Sequence, residues 1–419
     1  MLAALTQSLS SRYRSIALAP ALNGQPLGQV TSIDGLPIHH VAAGSRKIEK
    51  ALELLDPRAM PRSLRTGYYR RYFEHAGAVL ARVKPDLVHV MSWAQAGPVL
   101  ARQLPDVPLL LHLHDDMLTR LDPEEATGRL DPFAAVVTCS QWLADSLRRH
   151  VPGYRGEITA IGNGIDPTKF ARGPEPERAR GSRLLMVGRI SPEKGPHVLI
   201  DAFVRLASAH PGLMLDLVGP VGFLPLSQAR FMSRRMPPMA EAVARLYGSG
   251  PAALWGQLAR PGERLKERLL AGVPVELRDR IRFLGPQPHD ALNDIYRHAG
   301  MLIQPSVWKE AYGMPVAEAM AAGLPVIASA DGGLCDLVEH GKTGVLVPPG
   351  DAAALASAIA SLLADPVKAR AYGMAGRRKA LELLTWEVAA RRLEEVYENL
   401  LARSVAPEAR FMPAKAYSS

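Results

Sequence analysis

Pro305-Ser306-Val307-Trp308-Lys309-Glu310-Ala311-Tyr312-Gly313-Met314-Pro315-Val316-Ala317-Glu318-Ala319-Met320-Ala321-Ala322-Gly323 is the stretch that decides how this chain folds. The apolar run Met301-Leu302-Ile303 feeds it and Pro325-Val326-Ile327-Ala328 leaves it. Between two strands, then, a loop opens into a short helix. Pro315 fits the first helical position, where its missing N–H costs nothing, and Gly323 fits the stop. Two carboxylates fall at the helix mouth, Glu310 on the loop and Glu318 within about the first turn. A strand, a tight turn and a helix N-terminus form the ligand-facing crevice of a parallel sheet. An ordinary βαβ corner with solvated glutamates shows the same pattern, and spacing alone does not separate the two.

Outward from this stretch, short β-branched or leucine-rich runs alternate with helical patterns, the signature of α/β folding with parallel sheets. In the first half, strands are expected at Ser15–Ala19, Ile38–Val41, Leu87–Val90, Leu109–His114, Ala135–Thr138 and Ile158–Ile161. Helices are expected near Thr66–Val83, Gly97–Leu104 and Gln141–His150. The Pro/Gly/charge-rich passage Ala171–Gly181 reads as an interdomain linker. The alternation then restarts, with strands at Arg183–Val187, Met214–Val218, Ile281–Leu284, Met301–Ile303, Val326–Ala328 and Val345–Val347. Helices follow at His197–Ala209, Ala291–Ala299, Ala352–Ala364 and Pro366–Leu384, and Thr385 can cap a last one running to about Ala402. The expected division is a first domain over 1–173, a linker at 174–181, a second domain over 182–384 and a frayed tail at 403–419. The helix over 385–402 is expected to pack back on the first domain.

Two irregularities stand out. Met1 lies inside a helix-like pattern (Leu2, Leu5, Leu9) that runs straight into Ser15–Ala19. The strand and glycine-rich turn that open a nucleotide-site α/β domain are missing before it. The expectation is a first half without its first strand, whose neighbours keep unpaired backbone groups. In addition, the passage from Gly219 to Arg282 is longer than one helical connection needs. An insertion over about 220–278 is expected to form its own helices and to cover a rim or mediate self-association. Met232, Met236, Met239 and Trp255 in it read as exposed.

At 419 residues, 47% hydrophobic and 22% charged, the chain has the size and composition of a two-domain globular protein. No apolar run approaches the roughly 20 residues that span a bilayer, and Met1–Leu9 carries no secretory pattern. Cys139 and Cys335 suggest neither a disulfide framework nor a metal cluster. A cytoplasmic protein with no metal or other cofactor is expected. The net charge of +9 favours anionic partners. Arg58, Arg62, Arg65, Arg70 and Arg71 interleave with Tyr68, Tyr69, Tyr72 and Phe73. This Arg58–Phe73 region could dock a phosphate-rich acceptor or the inner membrane face; a solvated helix face is the competing reading. Nucleic acid is not expected, because no binding motif accompanies the charge.

The second chemical stretch is Val187-Gly188-Arg189-Ile190-Ser191-Pro192-Glu193-Lys194-Gly195, a strand end, a turn and a helix start. Arg189 offers a planar fork and Lys194 a point charge, a pair suited to a diphosphate. A loop salt bridge to Glu193 is the structural alternative.

VGRISPEKG, EAYGMPVAE, ASADGG and GKTGVLVPPGD occur in one order with natural spacings. Together they resemble the donor half of retaining GT4 glycosyltransferases, while PDLVHV, the strand ending at His114, VVTCSQWLADSL and IGNGIDPTKF resemble the same family's acceptor half. The resemblance implies two Rossmann-like domains facing across a cleft (the GT-B fold), and metal-independent transfer of a hexosyl group from a nucleotide-diphosphate sugar. The acceptor class it leaves open: small molecule, lipid-linked or glycan. It also implies roles. Arg189 and Lys194 would hold the diphosphate. Glu310 would contact the donor hexose beside the N–H groups of Tyr312, Gly313 and Met314. Glu318 would bond the ribose, His114 would sit near the reacting carbon, and Gly332 and Gly333 would let backbone approach the donor. His112 is assigned to the opposite strand face from His114. Cys335, where the family usually has proline, is expected to be a small packed residue, and Asp336 stands where glutamate is usual. A sugar-nucleotide epimerase on the same fold and a non-catalytic sugar-nucleotide binder are the alternatives. A hydrolase reading of Glu310 and Glu318 is disfavoured, because glycosidase carboxyls lie roughly 5–9.5 Å apart and eight residues of helix span about 12 Å.

Overall fold

The computed structural model describes residues 2–21, 29–43, 64–65, 67, 69–170, 182–224, 226–233, 236–247 and 261–405. The linker expected at 171–181, Trp255, and Arg58, Arg62 and Tyr68 of the arginine-aromatic cluster lie outside these residues, as does the tail from 406 onward. The first half comprises α1 (Leu2–Ser8), β1 (Ala17–Pro20), β2 (Val30–Ile33), β3 (Leu36–Val41), α2 (Arg70–Val83), β4 (Val88–Met91), α3 (Gly97–Gln103), β5 (Leu109–Leu113), α4 (Pro123–Leu130), β6 (Ala135–Thr138), α5 (Gln141–His150) and β7 (Glu157–Ala160). The second begins with β8 (Arg183–Val187), α6 (Pro196–Ala207), β9 (Met214–Val218), α7 (Leu226–Ser233), α8 (Pro237–Tyr247), α9 (Pro261–Leu270), β10 (Ile281–Gly285) and α10 (Leu292–His298). It continues with β11 (Met301–Gln304), α11 (Met314–Ala321), β12 (Val326–Ser329), α12 (Leu334–Leu337), β13 (Val345–Val347), α13 (Ala352–Ala364), α14 (Pro366–Leu383) and α15 (Trp386–Val405).

The second-half sheet is wholly parallel, in the order β10-β9-β8-β11-β12-β13. Numbered from β8, that order is the 3-2-1-4-5-6 of a doubly wound dinucleotide fold. Its four inner strands, β9, β8, β11 and β12, are buried on both faces and read as largely apolar runs, as such sheets require, while the edge strands β10 and β13 are half-buried. The strand order reverses between β8 and β11, where the two chemical stretches leave the sheet.

The first half contains two sheets. β4-β5-β6-β7 is parallel, while β1 pairs with β3 in parallel and β3 with β2 antiparallel. Among the described residues neither β1 nor β4 has a second ladder neighbour. β2 was not expected. It folds onto β3 through Asp34 and Gly35, both at positive φ (49° and 83°), the backbone of a two-residue hairpin.

α15 lies on the β4–β7 sheet. Ala390, Leu393 and Leu400 pack with Leu110 and Val137, and α1 adds Leu5 to the same cluster. Each large side chain so buried contributes about 1.5–3 kcal/mol. Thr385 caps the helix, its hydroxyl accepting from Val388 N–H at 3.3 Å.

The insertion's described part forms α7, α8 and α9, but its methionines are not exposed. Met232, Met236 and Met239 lie in the second-half core at 6% exposure or less, where flexible thioethers fill an irregular space. α8 packs against the turn Pro192–Lys194, and its Arg245 pairs with Asp201 of α6 at 2.9 Å. The arginine-aromatic cluster also divides: Tyr69 and Phe73 are buried and Tyr72 packs against the same core, its hydroxyl donating to Leu18 O, while Arg70 and Arg71 stay exposed. Tyr69, Tyr72 and Phe73 hold α2 in place.

Candidate active site

The loops leaving β8 and β11 meet at the strand-order reversal. The first tightens into one 3₁₀ turn, Pro192–Lys194, closed by Gly195 in the left-handed region. It delivers Lys194 to Glu310, the ammonium donating to both carboxylate oxygens at 2.7 and 2.8 Å. Ser306 Oγ donates to the same carboxylate at 2.6 Å and Gln304 Nε2 at 3.3 Å. Glu310 is 7% exposed. Burial pushes its pKa up, but Lys194 and these hydrogen bonds outweigh that and hold it below the usual glutamate value. Glu310 is a fixed, ionised acceptor. Gln304 and Ser306 had no sequence signal beyond lying near it.

Arg189 takes the alternative arrangement: its guanidinium donates to buried Glu193 at 2.8 and 3.2 Å, and Ser191 Oγ donates to the same oxygen at 2.6 Å. The fork remains half exposed beside Lys194. A ligand could share it with Glu193.

Gly313, at φ +109°, is the N-cap of α11. The helix ends with Gly323 N–H on Met320 O and Leu324 N–H on Ala319 O, both 2.9 Å, a Schellman motif. Glu318 is its fifth residue, at the end of the first turn or so as expected, and 5% exposed. Tyr296 OH donates to it at 2.8 Å and His289 Nε2 lies 3.3 Å away. Burial raises its pKa, with Tyr296 and His289 only partly countering. Glu310 and Glu318 therefore serve different partner sets. Tyr296 and His289 come from the stretch before β11 and were not anticipated.

Gly332 and Gly333 admit backbone, but that backbone belongs to the Glu310 loop. A Cβ on Gly332 would sit 2.4 Å from Glu310 O, one on Gly333 2.4 Å from Ala311 O, and Gly333 N–H donates to Glu310 O at 2.7 Å. Cys335 is exposed, not packed. Asp336 accepts from Trp142 N–H at 2.9 Å, placing a carboxylate at the start of α5 in the other half.

The first half reaches this loop directly: Tyr312 OH donates to Asn163 O at 2.6 Å and Cys139 Sγ lies 3.5 Å from Ala311 O. Asn163 and His114 line one cavity with Met91, Ile161 and Trp386. Burial lowers the His114 pKa to about 4, so its imidazole is neutral at pH 7. His112 shares its strand face: residues two apart point the same way, and the two rings stand 4.2 Å apart. Its assignment to the opposite face was wrong. Among the described residues no group of three or more His, Cys, Asp or Glu is arranged to hold a metal ion.

Two family models match in tandem: Glycosyltransferase Family 4 over residues 36–169 and Glycosyl transferases group 1 over residues 168–379. The chain is 28% identical to glycogen synthase of Mycobacterium tuberculosis, over 75% of this chain and 69% of that protein. It is 30% identical to D-inositol 3-phosphate glycosyltransferase of Thermobispora bispora, over 76% and 71%. Anabaena Alr3699/HepE, solved in complex with UDP-glucose, shares the fold at a TM-score of 0.63 and 21% identity, covering 87% of each chain. Two Rossmann-like halves, the tandem family matches and the loops meeting at β8 and β11 agree: the chain belongs to the group 1 glycosyl transferases, with the GT-B fold.

Proposed function

We propose that this chain moves a hexosyl group, with retention of configuration, from a nucleotide-diphosphate sugar to an acceptor held by its first half. The observation that carries this reading is the Lys194–Glu310 pair at the mouth of α11, with the half-exposed Arg189 fork beside it. Breaking the sugar–phosphate bond builds negative charge on the leaving diphosphate. Lys194, Arg189 and the first N–H groups of α11 stabilise that charge as fixed donors and need no metal. Glu310 accepts from donor sugar hydroxyls, Glu318 from the ribose, and neutral His114 stands at the reacting carbon. The UDP-glucose in the HepE complex makes uridine sugars the first donors to try.

Thermal unfolding with UDP-, GDP- and ADP-sugars identifies the donor, since a ligand at 100 times its Kd stabilises by about 2.7 kcal/mol. Lys194→Ala and Glu310→Ala should each lower kcat/KM at least 100-fold, EDTA should leave turnover unchanged, and NMR should show the donor's anomeric configuration in the product. Transfer within a few-fold of wild type in both variants would refute the assignment.

A further inference from the structure

The first N–H groups of α5, like those of any α-helix, have no partner inside the helix. Ser140, its N-cap, takes one of them, with Ser140 Oγ accepting from Leu143 N–H at 3.1 Å. The preceding one goes elsewhere. Trp142 N–H donates to Asp336 Oδ2 at 2.9 Å, across the cleft in the second half. Burial raises the Asp336 pKa, and the Trp142 and Gln141 N–H groups work against it by favouring the charged form. The cap of α5 is thus divided between the two halves, and the carboxylate meets the positive end of the helix dipole.

Asp336 leaves a braced backbone. Its N–H donates to Gly333 O at 3.2 Å, and Lys379 Nζ of α14 donates to its carbonyl at 3.0 Å. Around it the second half holds the same turn of α5. A Cβ on Gly333 would come 3.1 Å from Ser140 Cβ, so the two backbones approach closely there. Lys309, the residue before Glu310, stands over the Trp142 ring at 6.0 Å.

From this contact a short path runs to the donor loop. Gly333, at the start of α12, donates its N–H to Glu310 O at 2.7 Å. Glu310 therefore takes part of its position from α12, and α12 takes part of its own from α5. When the halves part, the carboxylate and the α5 N–H groups exchange each other for water, so the bond has a small net cost to break. That suits a contact that must open for substrates to enter.

We propose that Asp336 is a positioning residue: as a helix cap supplied across the cleft, it latches the halves closed and sets Glu310 against the first half. Its effect on transfer rests on the transferase reading; the latch itself does not.

Amide exchange followed residue by residue by NMR on the full chain reads the latch without turnover. In Asp336→Ala, Trp142 N–H should exchange about ten-fold faster than in wild type or more, while Leu143 N–H, capped within its own half, stays within about two-fold. Leu143 thereby shows that α5 is still folded, and Asp336→Asn, isosteric but uncharged, should lie between Asp336→Ala and wild type. Calorimetric UDP affinity should stay within about two-fold of wild type, while kcat falls about ten-fold in Asp336→Ala and recovers in Asp336→Glu, which keeps the charge. Unchanged exchange at Trp142 in both the Ala and Asn variants would overturn the latch. An unchanged kcat, or a loss of UDP affinity that matches the loss of kcat, would overturn the positioning role. The expected exchange contrast in a chain that turns over no nucleotide sugar would support the latch and sink the transferase reading instead.

Discussion

His89, His112 and His114 form a row across two adjacent strands, with ring centroids 5.3 and 4.2 Å apart. Burial holds His89 to about 3 and His114 to about 4, and pushes His112 well below 6.5; each neighbour's charge adds to the effect for His89 and His112. The folded chain thus resists protons that the unfolded chain takes up, so stability is lost as pH falls below about 6.5. Asp115 opposes this. With its pKa raised to about 6, it binds a proton in the folded state that the unfolded state, at about 3.9, does not. Near pH 5 the balance of these four groups alone is roughly two protons, about 2.7 kcal/mol per pH unit, and buried His197, held to about 4, adds to it. Urea midpoints at pH 5 to 7 measure this, and His89→Phe should remove about one proton from the slope; an unchanged slope would refute the account. The pairing of His112 with His114 was legible in the period-two rule and was misread. The third ring was not legible, because it depends on the register that sets His89 opposite Leu110.

At the scale of elements, strands and helices of the second half were legible almost to the residue, since inner strands buried on both faces leave largely apolar runs. What sequence could not supply was which loop each glycine serves. Gly332 also makes a contact between loops that the sequence did not announce, with φ +65° and Glu310 backbone against it. Gly332→Ala therefore combines strain with a backbone clash and displaces Glu310, so kcat/KM should fall at least ten-fold. Gly341→Ala serves as the control: its φ is +77°, but nothing lies within 4 Å of the added Cβ. That substitution should cost only about 1 kcal/mol in stability, with kinetics near wild type. Equal kinetics in the two variants would contradict the loop-on-loop role. The insertion was misjudged for a different reason. Met232, Met236 and Met239 do keep the i, i+4, i+7 spacing of a buried face, a signal that was passed over, and α8 covers the turn that carries Lys194.

Across the whole molecule, the catalytic arrangement depends on how the halves are held, and one residue ties three parts together. Arg120, in the first half, donates to Asp116 at 2.6 and 3.1 Å, to Met232 O and Met236 Sδ in the insertion at 3.4 Å each, and stacks 5.3 Å from the Trp308 ring. Asp116 lies two residues past His114, and Trp308 two residues before Glu310. The guanidinium fork thus spans the acceptor-side loop, the insertion and the donor loop. No sequence motif announces it, because its partners are separated by more than a hundred residues. Removing it alone leaves Asp116, 3% exposed, as a buried unpaired charge, which costs about 3–5 kcal/mol. Stability and positioning must therefore be separated. The double variant Asp116→Leu with Arg120→Met replaces the ion pair by apolar groups of similar size, which is commonly neutral or stabilising. Its melting temperature should stay within a few degrees of wild type. Its kcat/KM for transfer should still fall about ten-fold or more, chiefly through kcat, because a thioether cannot make the fork's several contacts. Small-angle scattering with UDP bound should show a larger radius of gyration than wild type, as the halves lose their tie. If the double variant keeps both melting temperature and kcat/KM, Arg120 supports the fold and does not position the cleft.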